Sequence, residues 1–209
     1  PEIIPPDWVV TSTSVTHANV QIVGQQDFLL PTHREFEVKA AGQLPTGFDP
    51  GTLYPSRNHP RGLQMTVYAA SDALGSLGLD WDTVRSHVAV DQISVYAGSA
   101  MGQLDNAGGG GMMKARHLGQ RVTSKYCPLS LAEMPADFVN AYVLGSLGTT
   151  GASLGACASF LYNLRLGIDD ITSGRARVAV VGCAEAPVNP EIMEGYAAMG
   201  ALATDKGLR

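Results

Sequence analysis

Residues 148–182 read GTTGASLGACASFLYNLRLGIDDITSGRARVAVVG. The first eight are short, glycine-bounded and weakly polar, which suits an extended segment; no residue from 147 to 160 carries charge, so burial suits them better than solvent. After Cys157, Leu161, Leu164, Ile168 and Ile171 recur at spacings of 3, 4 and 3, one face of a helix that Gly174 ends. RVAVVG (177–182) is a continuous apolar run, typical of a strand covered on both faces. Extended segment, helix and strand in alternation indicate an α/β fold with a mixed or parallel central sheet.

Upstream, Leu63, Val67, Ala70, Leu74 and Leu77 predict an amphipathic helix from Arg61, closed by Gly78. QISVYA (92–97) reads as a buried strand, and 134–144 as a helix ending near Gly145. Four glycines at 108–111 precede MMK. A phosphate loop would need a glycine immediately before the lysine and Ser or Thr after it, and Lys114 is followed by Ala115, so a mobile surface loop is expected. Eight prolines between positions 1 and 60 preclude a long helix there, leaving short strands at 8–12 and 36–40.

At 45% hydrophobic and 16% charged, the composition is that of a globular chain able to bury a sizeable core. A net charge of −5 and the lack of a basic stripe argue against nucleic acid as a partner. No apolar stretch approaches the roughly 18–20 residues of a membrane span, and PEIIPPDW has no signal-peptide core. Three sparse cysteines, Cys127, Cys157 and Cys183, fit neither a disulfide framework nor a metal site, and a reducing cytoplasm is the simplest setting.

Cys157 follows a tight turn and opens a helix, the thiol version of a nucleophile elbow. The helix N-terminus favours a thiolate, and its N–H groups suit the oxyanion of a thioester under attack. Gly155 and Ala156 leave room for substrate beside the sulfur; Phe160, a few residues on, is grouped with them as substrate-binding. A buried structural cysteine is the competing reading of the local physics. Cys127, before a proline and without an immediate helix start, and Cys183, after a buried strand, read as structural. His17, His33, His59, His87 and His117 all precede Cys157 and read as surface or structural groups.

The stretch SLGACASFLYNLRLGIDDITSGRARVAVVGCAEA (153–186) resembles the active-site block of β-ketoacyl-[acyl-carrier-protein] synthases. So do GYAAMGALAT (195–204), VYAGSAMGQLD (95–105) and LPTGFDPGTLYPSRNHPRGLQMTVYAASDAL (44–74). The likeness covers about 42–204, within a first lobe taken as 42–209, and leaves 1–41 as an irregular segment without a clear match. It implies the thiolase-like fold, with a mixed central sheet and helices on both faces. It also implies acyl loading on Cys157, then condensation with a decarboxylated malonyl group delivered on the phosphopantetheine of an acyl carrier protein, with no metal or resident cofactor. Gly155 stands where that family usually has Thr or Ser, and Glu133 where elongating members tend to have Asn. The family's catalytic histidines and lysine belong to a second lobe, and Arg209 comes before any of them, so the expectation is a fragment.

The resemblance further implies a homodimer in which 148–155 lies at the dyad and Leu131 reaches the acyl tunnel. Arg57 and Arg61, at the start of the first long helix, are expected to attract an acidic carrier. Two alternatives stay open at this point: a degradative thiolase, against which GCAEA (182–186) speaks, and a non-catalytic chain-length-factor-like subunit, against which Cys157 itself speaks.

Overall fold

The computed structural model describes residues 4, 6–24, 35–38, 41–56, 58–185 and 188–204. The chain divides into two compact units, Pro1–Glu37 and Val38–Arg209. In the first, β1 (Trp8–Ser12) pairs antiparallel with β2 (Ala18–Ile22), Trp8 opposite Ile22 and Ser12 opposite Ala18. The turn closes on His17, whose carbonyl accepts the Thr13 and Ser14 N–H groups. The strand expected at 36–40 is not formed over 36–38, and Lys39 and Ala40 lie outside the described residues. ANVQI, in which Ala18, Val20 and Ile22 alternate with Asn19 and Gln21, supplies β1's partner instead, a strand the sequence reading did not include.

In the second unit a short 3-10 turn (Pro50–Thr52) is followed by α1 (Arg61–Gly75), which buries Leu63, Val67 and Ala70 as their spacing requires. It stops three residues before Gly78, and Leu77 is exposed beyond it. Pro60 offers no side-chain cap; the Arg61 N–H is satisfied by Asp105 Oδ2 at 2.8 Å, 44 residues on in the chain. After α2 (Trp81–His87) comes β3 (Ile93–Gly98), buried at every position.

The four-glycine run is the clearest departure from expectation. It lies within α3 (Gly109–Ala115) and at its N-cap, Gly108, and glycines 109–111 are buried. A Cβ at Gly110 or Gly111 would collide with the carbonyl oxygens of Leu104 or Asn106, so the glycines serve close backbone packing. The one-turn helix α4 (Tyr126–Leu129) begins beside Cys127, correcting the reading that no helix starts there. Cys127 is exposed. The helix expected at 134–144 is α5 (Met134–Val139), continued by a π-turn over Asn140–Leu144 and ended by Gly145 at φ 61°.

Then follow β4 (Thr150–Gly151), α6 (Ser159–Thr172), β5 (Val178–Cys183) and α7 (Pro190–Ala198). The described strands of this sheet are ordered β4-β3-β5 and run parallel, with Ile93 opposite Val178 and Gly98 opposite Cys183. Alternation along β3 divides the packing. Ile93, Val95 and Ala97 join Leu63 and Val67 of α1 and Ala136 and Val139 of α5 in one core. Ser94 and Tyr96 point to the other face, where Tyr96 donates to Asp170 of α6 at 2.7 Å. Gly167 lets α6 approach Val181 and Ala179 on that same face. Among the described residues, no helix is long and apolar enough to cross a membrane.

Candidate active site

The elbow is built by three side chains of α6. Asn163, fully buried, accepts the Ser153 N–H at 2.8 Å and donates to the Gly182 carbonyl at 3.2 Å, tying the segment before the elbow to α6 and β5. Ser159 accepts the Gly155 N–H at 3.1 Å and donates to the Ala156 carbonyl at 2.7 Å. Ala156 is thereby held at φ 49°, in the left-handed region that residues with a Cβ seldom adopt. Tyr162 lies where a Cβ at Gly155 would be, so its ring, not open space, occupies the room this glycine leaves.

This corner presents Cys157 exposed to solvent, two residues before α6. The buried-structural reading of this thiol is thus set aside. Ala158, at the N-cap of α6, offers no side-chain cap, and the Ser159 N–H is taken by the Ala156 carbonyl at 3.2 Å.

The carboxyl ends of β3 and β5 carry a second cluster. The Glu185 carboxylate accepts from Ser99 Oγ at 3.1 Å and from the N–H groups of Ala100 and Met101. Burial, then the Glu185 charge, pushes the Cys183 thiol up, which keeps it protonated and unreactive. Burial first, then the charges of Glu185 and Cys157, push the Tyr196 phenol of α7 up. Tyr196 also lines an apolar cavity of about 420 Å³ with Met101, Met113, Ile192 and Met199. Neither Tyr196 nor the cavity was assigned from sequence, although GYAAMG (195–200) and GCAEA (182–186) hold two of the groups concerned.

The other predicted residues fall as follows. Gly155 and Ala156 adjoin the sulfur. Phe160 and Leu131 are each 44% exposed and stand outside the methionine-lined cavity; Leu131 precedes Ala132, whose carbonyl accepts the Ser99 N–H at the end of β3. Arg57 lies outside the described residues. Arg61 is paired with Asp49 at 2.5 Å, and that hydrogen bond is the first cause of the lowered Asp49 pKa. His59 packs against Tyr54, Phe138 and Tyr142, with its Nδ1 3.0 Å from the Tyr54 hydroxyl.

A parallel sheet with helices on both faces and an exposed thiol on a strained corner are the features of a thiolase-like lobe. The family described as beta-ketoacyl synthase, N-terminal domain, matches residues 31–209, and the chain belongs to that family. It is 55% identical, over its whole length, to the β-ketoacyl-[acyl-carrier-protein] synthase FabY of Pseudomonas aeruginosa, and spans 33% of that protein. The crystal structure of that noncanonical ketosynthase superposes with a TM-score of 0.91 over all of this chain. The fatty acid synthase subunit alpha of Candida albicans is 30% identical over 168 residues, 78% of this chain and 9% of that protein. The ishigamide ketosynthase/chain length factor, at 22% identity and a TM-score of 0.59 over 76% of this chain and 39% of its own, shares the fold.

Proposed function

We propose that this chain supplies the nucleophile of a β-ketoacyl-[acyl-carrier-protein] synthase of fatty acid synthesis. The observation that carries the proposal is the exposed Cys157 directly after the left-handed Ala156, on a corner that Ser159 and the buried Asn163 hold in place. The thiolate adds to an acyl thioester carbonyl and forms a new C–S bond. The old C–S bond breaks, and the carrier thiolate leaves and takes up a proton. The acyl chain then occupies the methionine-lined cavity, whose pliable side chains suit a flexible alkyl group. In the second half-reaction the malonyl thioester loses CO₂ and its carbanion attacks the Cys157 thioester, forming the new C–C bond of the β-ketoacyl product and releasing Cys157 as the thiolate.

The acyl carrier protein is the proposed donor, docking near Arg57 and Arg61, with Arg61 parting from Asp49 to meet it. A cytoplasmic setting and chemistry without metal or resident cofactor belong to the same proposal. So does a homodimer: β4 ends the described sheet, and its free edge suits pairing with its copy, bringing Leu131 to the neighbouring tunnel.

The test is intact-mass and peptide analysis of the full-length protein after incubation with an acyl thioester. The expected result is one acyl adduct on Cys157, absent in Cys157→Ala. An adduct retained in Cys157→Ala, or none in the wild type, refutes the assignment.

A further inference from the structure

Helices α3 and α7 form two walls of the apolar cavity, Gly110 and Met113 on one side and Ile192 and Tyr196 on the other. Its charged lining residues are Lys114 of α3 and Glu191 of α7, and they meet each other, Nζ to Oε1, at 2.7 Å. Their side chains are 34% and 61% exposed, so the pair stands between the cavity and solvent. Met101, another wall residue, lies three residues beyond Gly98, against which Ala152 and Leu154 of the segment leading to Cys157 pack, so the elbow and the cavity share this end of β3. Tyr196 is five residues further along α7 than Glu191, about 7.5 Å of helical rise. An acyl chain held on the sulfur that enters the cavity at Met101 and passes Tyr196 therefore runs out of apolar wall at the ion pair.

Resting on the acyl-pocket reading above, we propose that Lys114–Glu191 is a latch. It closes the solvent side of the pocket and sets the longest acyl chain that Cys157 accepts. Glu191 also lies in the first turn of α7, where the helix favours its negative charge, so the acidic partner is well placed to hold the latch shut. An exposed pair of this kind parts at a cost of no more than about fivefold. Each further methylene buried in an apolar pocket gains about fourfold. The two effects are of like size, so the latch shifts the length limit by about one or two methylenes.

The experiment is kcat/KM of the full-length enzyme for a homologous series of saturated acyl thioesters, with Tm measured on every variant. In the wild type the value is expected to rise by about fourfold per methylene up to a break, then level or fall. Lys114→Glu and Glu191→Lys each set like charges together and move the break to longer chains. The exchanged double variant, Lys114→Glu with Glu191→Lys, restores the opposite charges and brings it back. A break unmoved in the single variants while Tm falls overturns the proposal, because the pair then only fastens α3 to α7. A break that stays displaced in the exchanged variant also overturns it, because size rather than pairing sets the limit. Absence of any Cys157 adduct at every chain length would bring down the acyl-pocket reading and the latch together.

Discussion

Removing the Asn163 side chain leaves the Ser153 N–H and the Gly182 carbonyl without the partners that fix the approach to Cys157. Asn163→Ala is expected to slow alkylation and acylation of Cys157 by on the order of tenfold to a hundredfold, the effect of a small displacement of a reacting atom. Asn163→Asp keeps the acceptor for Ser153 but loses the donor to Gly182, and should fall between. The pH–rate profile of Cys157 alkylation checks this, since a role limited to stability would lower Tm and leave the profile of the folded enzyme in place. The thiol itself was legible in the sequence, because a glycine-bounded turn, a cysteine and a helical repeat adjoin within about twenty residues. Asn163 was not, because its partners lie 10 and 19 residues away. Arg61 shows the same limit: its pairing with Asp49 depends on the loop between them.

Tyr96 of β3 and Asp170 of α6 join the sheet to the helix that follows Cys157, and Arg175 donates to the same carboxylate at 2.8 Å. Burial would raise Asp170, but the hydrogen bonds of Tyr96 and Arg175 outweigh it and hold the carboxyl below its ordinary range. Burial, then the Asp170 hydrogen bond, pushes Tyr96 up to about 12. Asp170, lowered on folding, stabilises above its ordinary value of 3.8 and loses that contribution as pH falls through the folded value. Tyr96, raised on folding, stabilises below 10 and loses that contribution as pH rises through about 12. Tyr96→Phe strips a buried carboxylate of a donor and is expected to cost about 1–3 kcal/mol, lowering Tm by roughly 2–4 °C per kcal/mol. Thermal melts across pH should show that loss at neutrality and a flatter alkaline limb than the wild type. Elements with one-sided or continuous apolar patterns, α1 and β3 among them, were legible because their periodicity is local. The glycines of α3 were not, because what demands them is the approach of the carbonyls of Leu104 and Asn106, which no local pattern encodes.

Across the whole molecule, Ser153→Asp tests the proposed dyad. In a symmetric contact the substitution acts twice and sets two like charges together in an apolar interface. Sedimentation should show loss of the dimer, and acyl transfer by the full-length enzyme should fall with it; an unchanged sedimentation coefficient would dismiss a dyad at 148–155. The order β4-β3-β5 has a further consequence, in time. Ile93 finds its neighbour Val178 only 85 residues later in the chain, so a ribosome adding about 5–20 residues per second delivers the second strand some 4–17 s after the first. Throughout that interval the most buried strand of the sheet has an open edge. The apolar side chains of α1 are made before it and can shelter one of its faces, but nothing synthesised by then can satisfy the hydrogen-bonding groups that β5 will pair. Nascent chains stalled between Gly98 and Val178 are therefore the species that a chaperone, or another copy with the same open edge, meets first.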